Sequence, residues 1–200
     1  MDAYARDVLE TLDGMDIRRA VFGGLSMGGF VIFAVLRQAR ERVAGLLLAD
    51  TRSSSDDSER RAARVRSMDA ARRRGPAAIA DEMLPNILGA TTRARRPEVA
   101  AQVRALIESQ PAETIIAALE AMMSRPASDA VLAQVTVPTT IVVGDEDTVT
   151  PLSDAEHMQR AVAGSALVTI PGAGHMANLE APDAFNEAMR TFLSGVELSV

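Results

Sequence analysis

Three residues of this chain have the types needed to attack a carbonyl and shuttle the proton involved: Ser26, Asp147 and His175. A serine hydroxyl is a weak nucleophile until an imidazole takes its proton, and the imidazole needs a carboxylate to hold its tautomer and stabilise its charged form. Ser26 sits in Gly24-Leu25-Ser26-Met27-Gly28, between the apolar run Ala20-Val21-Phe22 and the apolar run that begins at Phe30. This pattern predicts a strand, a sharp turn holding the serine in a strained conformation, and a helix. Glycines at Gly24 and Gly28 are expected to remove side chains that would collide across the turn. The helix start aims its unpaired amides and positive dipole end at the place where charge develops on a substrate, so the Met27 backbone amide is the candidate oxyanion donor. Without partners, the same five residues also fit an ordinary small-residue turn.

The elements that must position these residues follow from periodicity. Tyr4, Val8, Leu9 and Leu12 recur at helical spacing and Gly14 follows where helices commonly stop. A strand through Val21 and Phe22 leads to the serine turn and to a helix over 27–40 that is apolar nearly all round, as a buried helix is. The continuous apolar run 43–49 reads as a strand covered on both faces of a parallel sheet, ending at Asp50. From 59 to about 125 the sequence is helical and rich in Ala and Arg, and Gly75-Pro76, Pro85, Gly89, Arg96-Pro97 and Gln110-Pro111 mark expected boundaries of four helical pieces. Strand signals resume at 139–143. The loop Asp145-Glu146-Asp147-Thr148-Val149-Thr150 then leads to a helix over 151–162 that starts at Pro151. A strand over 166–170, the loop Pro171-Gly172-Ala173-Gly174-His175 and an amphipathic helix over 182–193 close the chain.

That order predicts an α/β fold, a mostly parallel sheet flanked by helices with an all-helical lid inserted after the second strand. The expected division is a core part at 1–51, a cap at 52–135 and a second core part at 136–200. Ligands of open α/β sheets bind outside the carboxyl ends of the strands, and both Asp147 and His175 fall on loops that follow strands. Asp50 is the rival acid, since it too follows a strand. Asp145 reads as a turn residue and His157, in Asp154-Ala155-Glu156-His157-Met158-Gln159, as a surface helix residue.

Composition excludes several other classes. The 200 residues are 48% hydrophobic and 24% charged, the profile of a globular domain. With 21 basic and 27 acidic residues the net charge is -6, which argues against nucleic acid or an anionic membrane as partner. Every basic residue is Arg, and the groups Arg60-Arg61, Arg72-Arg73-Arg74 and 93–96 read as solvated helix faces because acids are interspersed. There is no cysteine, and two histidines are too few for a histidine-rich metal cluster, so no metal or cofactor is expected. The N-terminus has no basic segment followed by an apolar core, and no apolar run reaches bilayer length, which together predict a cytoplasmic protein.

Three segments, in order, resemble the α/β-hydrolase family of the capped esterase and enol-lactonase type. Gly24-Leu25-Ser26-Met27-Gly28-Gly29 resembles its nucleophile elbow, Gly144-Asp145-Glu146-Asp147 with Thr150-Pro151 its acid loop, and Gly172-Ala173-Gly174-His175 with Leu179-Glu180 and Pro182 its histidine loop. The resemblance implies a serine hydrolase for small carboxylic esters or lactones: Ser26 as nucleophile, His175 as base and acid, Asp147 as its orienting carboxylate. Within the same fold an enol-lactonase, a perhydrolase of the non-haem haloperoxidase type and an acyltransferase stand as alternatives. The single Tyr and five Phe point to an apolar site and not a sugar site, and Met122-Met123 reads as lid packing that could also line an acyl pocket.

The resemblance also implies strands before the first helix and a His-Gly type segment carrying a second oxyanion donor, and no residues here match them. The expected form is therefore N-terminally truncated, with an open apolar sheet edge beside the serine strand through which the chain could form a homo-oligomer. A longer enzyme of which this is a part, a non-catalytic module completed by a partner, and a short self-associating protein are the three readings; the intact elbow, acid and histidine segments favour the first.

Overall fold

The computed structural model describes residues 1–196. The chain opens on α1 (Asp2–Gly14), then β1 (Ala20–Leu25), α2 (Met27–Ala39), a 3-10 turn and β2 (Val43–Ala49). After the insert it returns to β3 (Thr139–Gly144), followed by α9 (Leu152–Ala161), β4 (Ala166–Ile170), α10 (Ala177–Glu180) and α11 (Pro182–Ser194). The four strands are parallel in the order β1-β2-β3-β4, so β2 and β3 are central, and among the described residues β1 is paired on one side only.

The two-residue alternation of a strand explains both layers. Leu46 and Leu48 of β2 join Ile141 and Val143 of β3 in a core completed by Phe30, Phe33 and Leu36 of α2, Ala5 of α1 and Met158 of α9. Their neighbours Leu47, Ala49 and Val142 face the other way and pack with Ile170 and with Phe192 of α11. Every residue of β2 is buried, as its unbroken apolar run predicts. Removing the largest of these side chains, as in Phe33→Ala, would cost about 3–5 kcal/mol through lost transfer energy and the cavity left behind.

Between β2 and β3 lie α3 (Ser58–Arg74), α4 (Pro76–Ile87), α5 (Ala90–Arg95), α6 (Pro97–Glu108), α7 (Ala112–Met123) and the short α8 (Asp129–Leu132). The expected four pieces before Arg125 are therefore five. Gly75 at φ 74°, Gly89, Arg96 and Pro111 are true boundaries, with Pro76 and Pro97 opening helices, where a missing N–H costs nothing. Pro85 is not a boundary: it lies in the last turn of α4, where the one carbonyl it deprives belongs to the exposed Asp81. Asp57 caps α3 by accepting a bond from the Arg60 amide at 2.8 Å. Pro151 proves to be the N-cap of α9 and not its first residue, and α10 is one turn too short to leave a periodic signal.

The insert has its own apolar clusters. Ile87, Leu88, Val99 and Val103 form one that also receives Val149 from the acid loop and Met176 and Leu179 from the histidine loop. Through this cluster the insert is packed onto the carboxyl edge of the sheet, where the expected site lies. No described helix is long and apolar enough to cross a membrane.

Candidate active site

Ser26 is the residue between β1 and α2, with φ 51° and ψ -111°, a conformation a non-glycine residue adopts only when its surroundings impose it. The constraints are visible. Its amide donates to the Ala49 carbonyl at 2.9 Å, extending the β1–β2 ladder by one residue, and its carbonyl accepts from Gly29 N at 3.0 Å and from Thr51 Oγ1 at 2.8 Å. A Cβ on Gly24 would lie 2.5 Å from the carbonyl carbon of Gly28, so glycine is required there. Gly28 itself does not have the role expected of it, because a Cβ built on it meets nothing within 4 Å: the crowding is against its backbone, on the opposite side. The second glycine the turn needs is Gly29, whose Cβ would collide with the Thr51 side chain.

Met27 is the first residue of α2, so its N–H has no acceptor within the helix, and the first turn of that helix carries no acidic residue to neutralise its positive end. The candidate donor and Ser26 are thus presented at the same edge.

The structure brings Ser26, His175 and Asp147 together although they are far apart in sequence. Ser26 Oγ lies 2.7 Å from His175 Nε2, and His175 Nδ1 lies 2.8 Å from Asp147 Oδ2. An ionised carboxylate only accepts, so Nδ1 carries the ring proton and Nε2 is left to accept the serine hydroxyl. Asp147 is itself held on every side. Its Oδ1 accepts from the amides of Val149 and Thr150 at 2.8 and 3.0 Å, and its Oδ2 accepts from Thr150 Oγ1 at 2.6 Å. Burial pushes the Asp147 carboxyl up, but the bond and charge of His175 and the Thr150 bonds outweigh it and hold the carboxyl below its usual range.

The remaining sequence candidates separate cleanly. Asp50 is fully buried but makes no hydrogen bond to His175; it accepts from Gly144 N at 2.9 Å and Ala177 N at 3.4 Å. Asp145 accepts from Gly172 N at 2.7 Å, which ties one loop to the other. His157 is exposed and pairs with Asp129 at 2.8 Å, away from Ser26. Among the described residues no group of three or more His, Asp or Glu is placed to hold a metal ion.

Two further carboxylates, Glu146 and Glu180, fasten the insert to these loops. Glu146, beside Asp147, accepts from Thr91 N at 2.7 Å and from Thr91 Oγ1 at 2.5 Å. Glu180, five residues past His175 and 5% exposed, accepts from Gly89 N at 2.8 Å and Met176 N at 3.0 Å. Between them the His175 amide donates to the Ile87 carbonyl at 2.9 Å. The sequence signal for Glu180 is an acid flanked by Leu179 and Ala181 just before Pro182, too brief to say which amides it would reach. The far end of the insert is rooted by Asp56, whose carboxylate pairs with Arg52 at 2.7 Å, Arg125 at 2.9 Å and Arg64. Arg125 also lies over the Phe30 ring, 3.9 Å from its centroid.

Comparison with known proteins identifies the family and the fold. The sequence model of the alpha/beta hydrolase family matches residues 1–188. A thermophilic esterase from Thermogutta terrifontis, solved with malate bound, is 38% identical and superposes with a TM-score of 0.94 over 98% of this chain and 73% of that one. The enol-lactonase from Burkholderia xenovorans is 28% identical with a TM-score of 0.86, over 95% of this chain and 71% of that one. Among curated sequences, 3-oxoadipate enol-lactonase 1 of Acinetobacter baylyi is 25% identical over 198 residues, 96% of this chain and 70% of its own length.

Proposed function

This chain belongs to the α/β-hydrolase family, and on that premise we propose that it is a serine hydrolase for small carboxylic esters or lactones, acting through an acyl-enzyme on Ser26. The observation that carries the reading is the continuous relay from Ser26 Oγ to His175 Nε2 and from His175 Nδ1 to Asp147, with both spacings inside hydrogen-bond range. His175 takes the hydroxyl proton as Ser26 Oγ bonds to the substrate carbonyl carbon. The resulting oxyanion meets the Met27 amide at the head of α2. Collapse expels the alcohol, which leaves with the proton held by His175; for a lactone the alcohol stays tethered to the acyl group. Water, deprotonated by the same imidazole, then releases the acid and restores Ser26. Asp147 keeps its charge throughout, which its several hydrogen bonds favour.

The esterase and enol-lactonase among the relatives support the ester and lactone classes together, and nothing in the site prefers one over the other. The helical insert over 52–135 serves as a cap in this reading, since Glu146 and Glu180 bind it to both catalytic loops. The test is covalent labelling with a fluorophosphonate, read by intact mass. The folded protein is expected to gain one adduct and Ser26→Ala none; a folded protein that gains no adduct, or a Ser26→Ala variant that labels equally, overturns the assignment.

A further inference from the structure

The two residues that follow β2, Asp50 and Thr51, between them touch all three of the segments that carry the relay. β2 lies between β1 and β3, so the residues that follow it lie beside the serine turn on one side and the start of the acid loop on the other. Thr51 Oγ1 donates to the Ser26 carbonyl at 2.8 Å and its side chain packs against the Cα of Gly29, which is why that position tolerates no Cβ. Asp50 N donates to Val142 O at 2.9 Å, while its Oδ1 accepts from Gly144 N at 2.9 Å, where the acid loop leaves β3. Its Oδ2 faces Ala177 N at 3.4 Å, two residues beyond His175. Asp50 is 0% and Thr51 2% exposed, and Asp50 sits at φ 43°, one of three non-glycine residues with positive φ among those described. Neither side chain bonds Ser26 Oγ or the His175 ring.

We propose that Asp50 and Thr51 are positioning residues that hold the loops of Ser26, Asp147 and His175 in a common register, so that turnover depends on them and substrate binding does not. The strained backbone of Asp50 supports this, since strain that persists in a fully buried residue is imposed by the contacts around it. So does the chemistry of its surroundings. Burial pushes its carboxyl up to about 8, against the lowering effect of the Gly144 and Ala177 amides, with Asp147 and Glu180 adding like charge.

The proposal rests on Ser26 being the nucleophile, and the experiment separates the two. Thr51→Val, Thr51→Ser, Asp50→Ala and Asp50→Asn are purified, their active sites titrated with fluorophosphonate, and kcat and KM measured with p-nitrophenyl butyrate. Thr51→Val is expected to lose about tenfold to a hundredfold in kcat, the scale set by a displacement of about an ångström in a reacting group. KM is expected to stay within about twofold, and Thr51→Ser, which keeps the hydroxyl, to recover the rate. Asp50→Ala should lose as much as Thr51→Val, and Asp50→Asn, which retains an acceptor for Gly144 N, should lose less. A Thr51→Val enzyme with unchanged kcat per titrated site, a loss carried by KM, or a Thr51→Ser loss equal to that of Thr51→Val overturns the positioning role even where Asp50→Ala fails to fold. A wild-type protein that cannot be titrated would instead overturn the nucleophile assignment itself.

Discussion

Two aspartates six residues apart, Asp50 and Asp56, are both buried and are pushed in opposite directions. Asp50, at the carboxyl end of β2, meets two backbone amides and no cation, and burial raises its carboxyl to about 8. Asp56, at the root of the insert, is penalised by burial in the same way, but Arg64 and Arg125 outweigh that and hold it down at about 2. Burial is therefore common to the two regions, and the partner decides the outcome. The insert root is an ion cluster in which one carboxylate neutralises part of the charge of three arginines, and burial lowers Arg125 to about 10. The edge that carries Ser26 and His175 is a network of amide and hydroxyl donors aimed at carboxylates. The first arrangement resists being taken apart; the second keeps a proton available.

Substitutions that attack one region at a time test this contrast. The largest effect is expected at the catalytic edge: Asp147→Asn leaves the imidazole without a partner that fixes its tautomer, and kcat should fall by about 10⁴-fold with little change in the unfolding midpoint. At the insert root the loss should appear in stability instead. Asp56→Ala leaves three guanidinium groups without their buried counter-ion and should cost about 3–5 kcal/mol in chemical denaturation. The rate per titrated active site of the molecules that remain folded should change far less. A variant that loses rate and keeps stability at Asp56 would erase the distinction.

Acid and base should separate the two carboxylates further. A carboxyl held at about 2 contributes stability that is complete above its unfolded value, near 3.8, and is lost as pH falls through about 2. A carboxyl raised to about 8 behaves oppositely: its contribution is complete below about 3.8 and is lost as pH rises through about 8. Unfolding free energies measured from pH 5 to pH 9 should therefore decline more steeply for the wild type than for Asp50→Asn, while the deficit of Asp56→Asn should grow as pH rises from 2 to 4.

Glu180 joins the two regions, and its effect should be intermediate in kind and smaller in size. Glu180→Ala leaves the buried Gly89 amide and the half-buried Met176 amide unpaired and should cost about 1–3 kcal/mol, with a loss of kcat because Met176 adjoins His175. The smallest effect belongs to His157→Gln: its pair with Asp129 is exposed, so stability should shift by less than about 1 kcal/mol and the rate should stay as it was.

Much of the architecture was legible along the chain. The period-two and period-3.6 patterns are local, and so β2, α2 and the closing α11 were readable with nearly the bounds observed. The three catalytic candidates were readable for a related reason: each sits where a strand pattern stops, and in a parallel sheet all such places share one edge. What escaped was contact between segments. Gly28 looked like the companion of Gly24 because it lies two residues past the serine, whereas the crowded glycine is Gly29, and it is crowded by Thr51 from another strand. The choice between Asp147 and Asp50 as the acid rested on resemblance, since both follow strands; the distances place Asp147 against His175 and Asp50 against backbone amides.

By itself, then, the sequence determined the layered α/β order, the buried central strands, the helical insert and the three residue types at the carboxyl edge, because burial periodicity and turn chemistry act over a few residues. Tertiary structure alone decided which carboxylate faces the imidazole, which amides Glu146 and Glu180 reach in the insert, and why two buried aspartates titrate in opposite directions. Those depend on distances between groups far apart along the chain, and over such separations only the packed fold sets who meets whom.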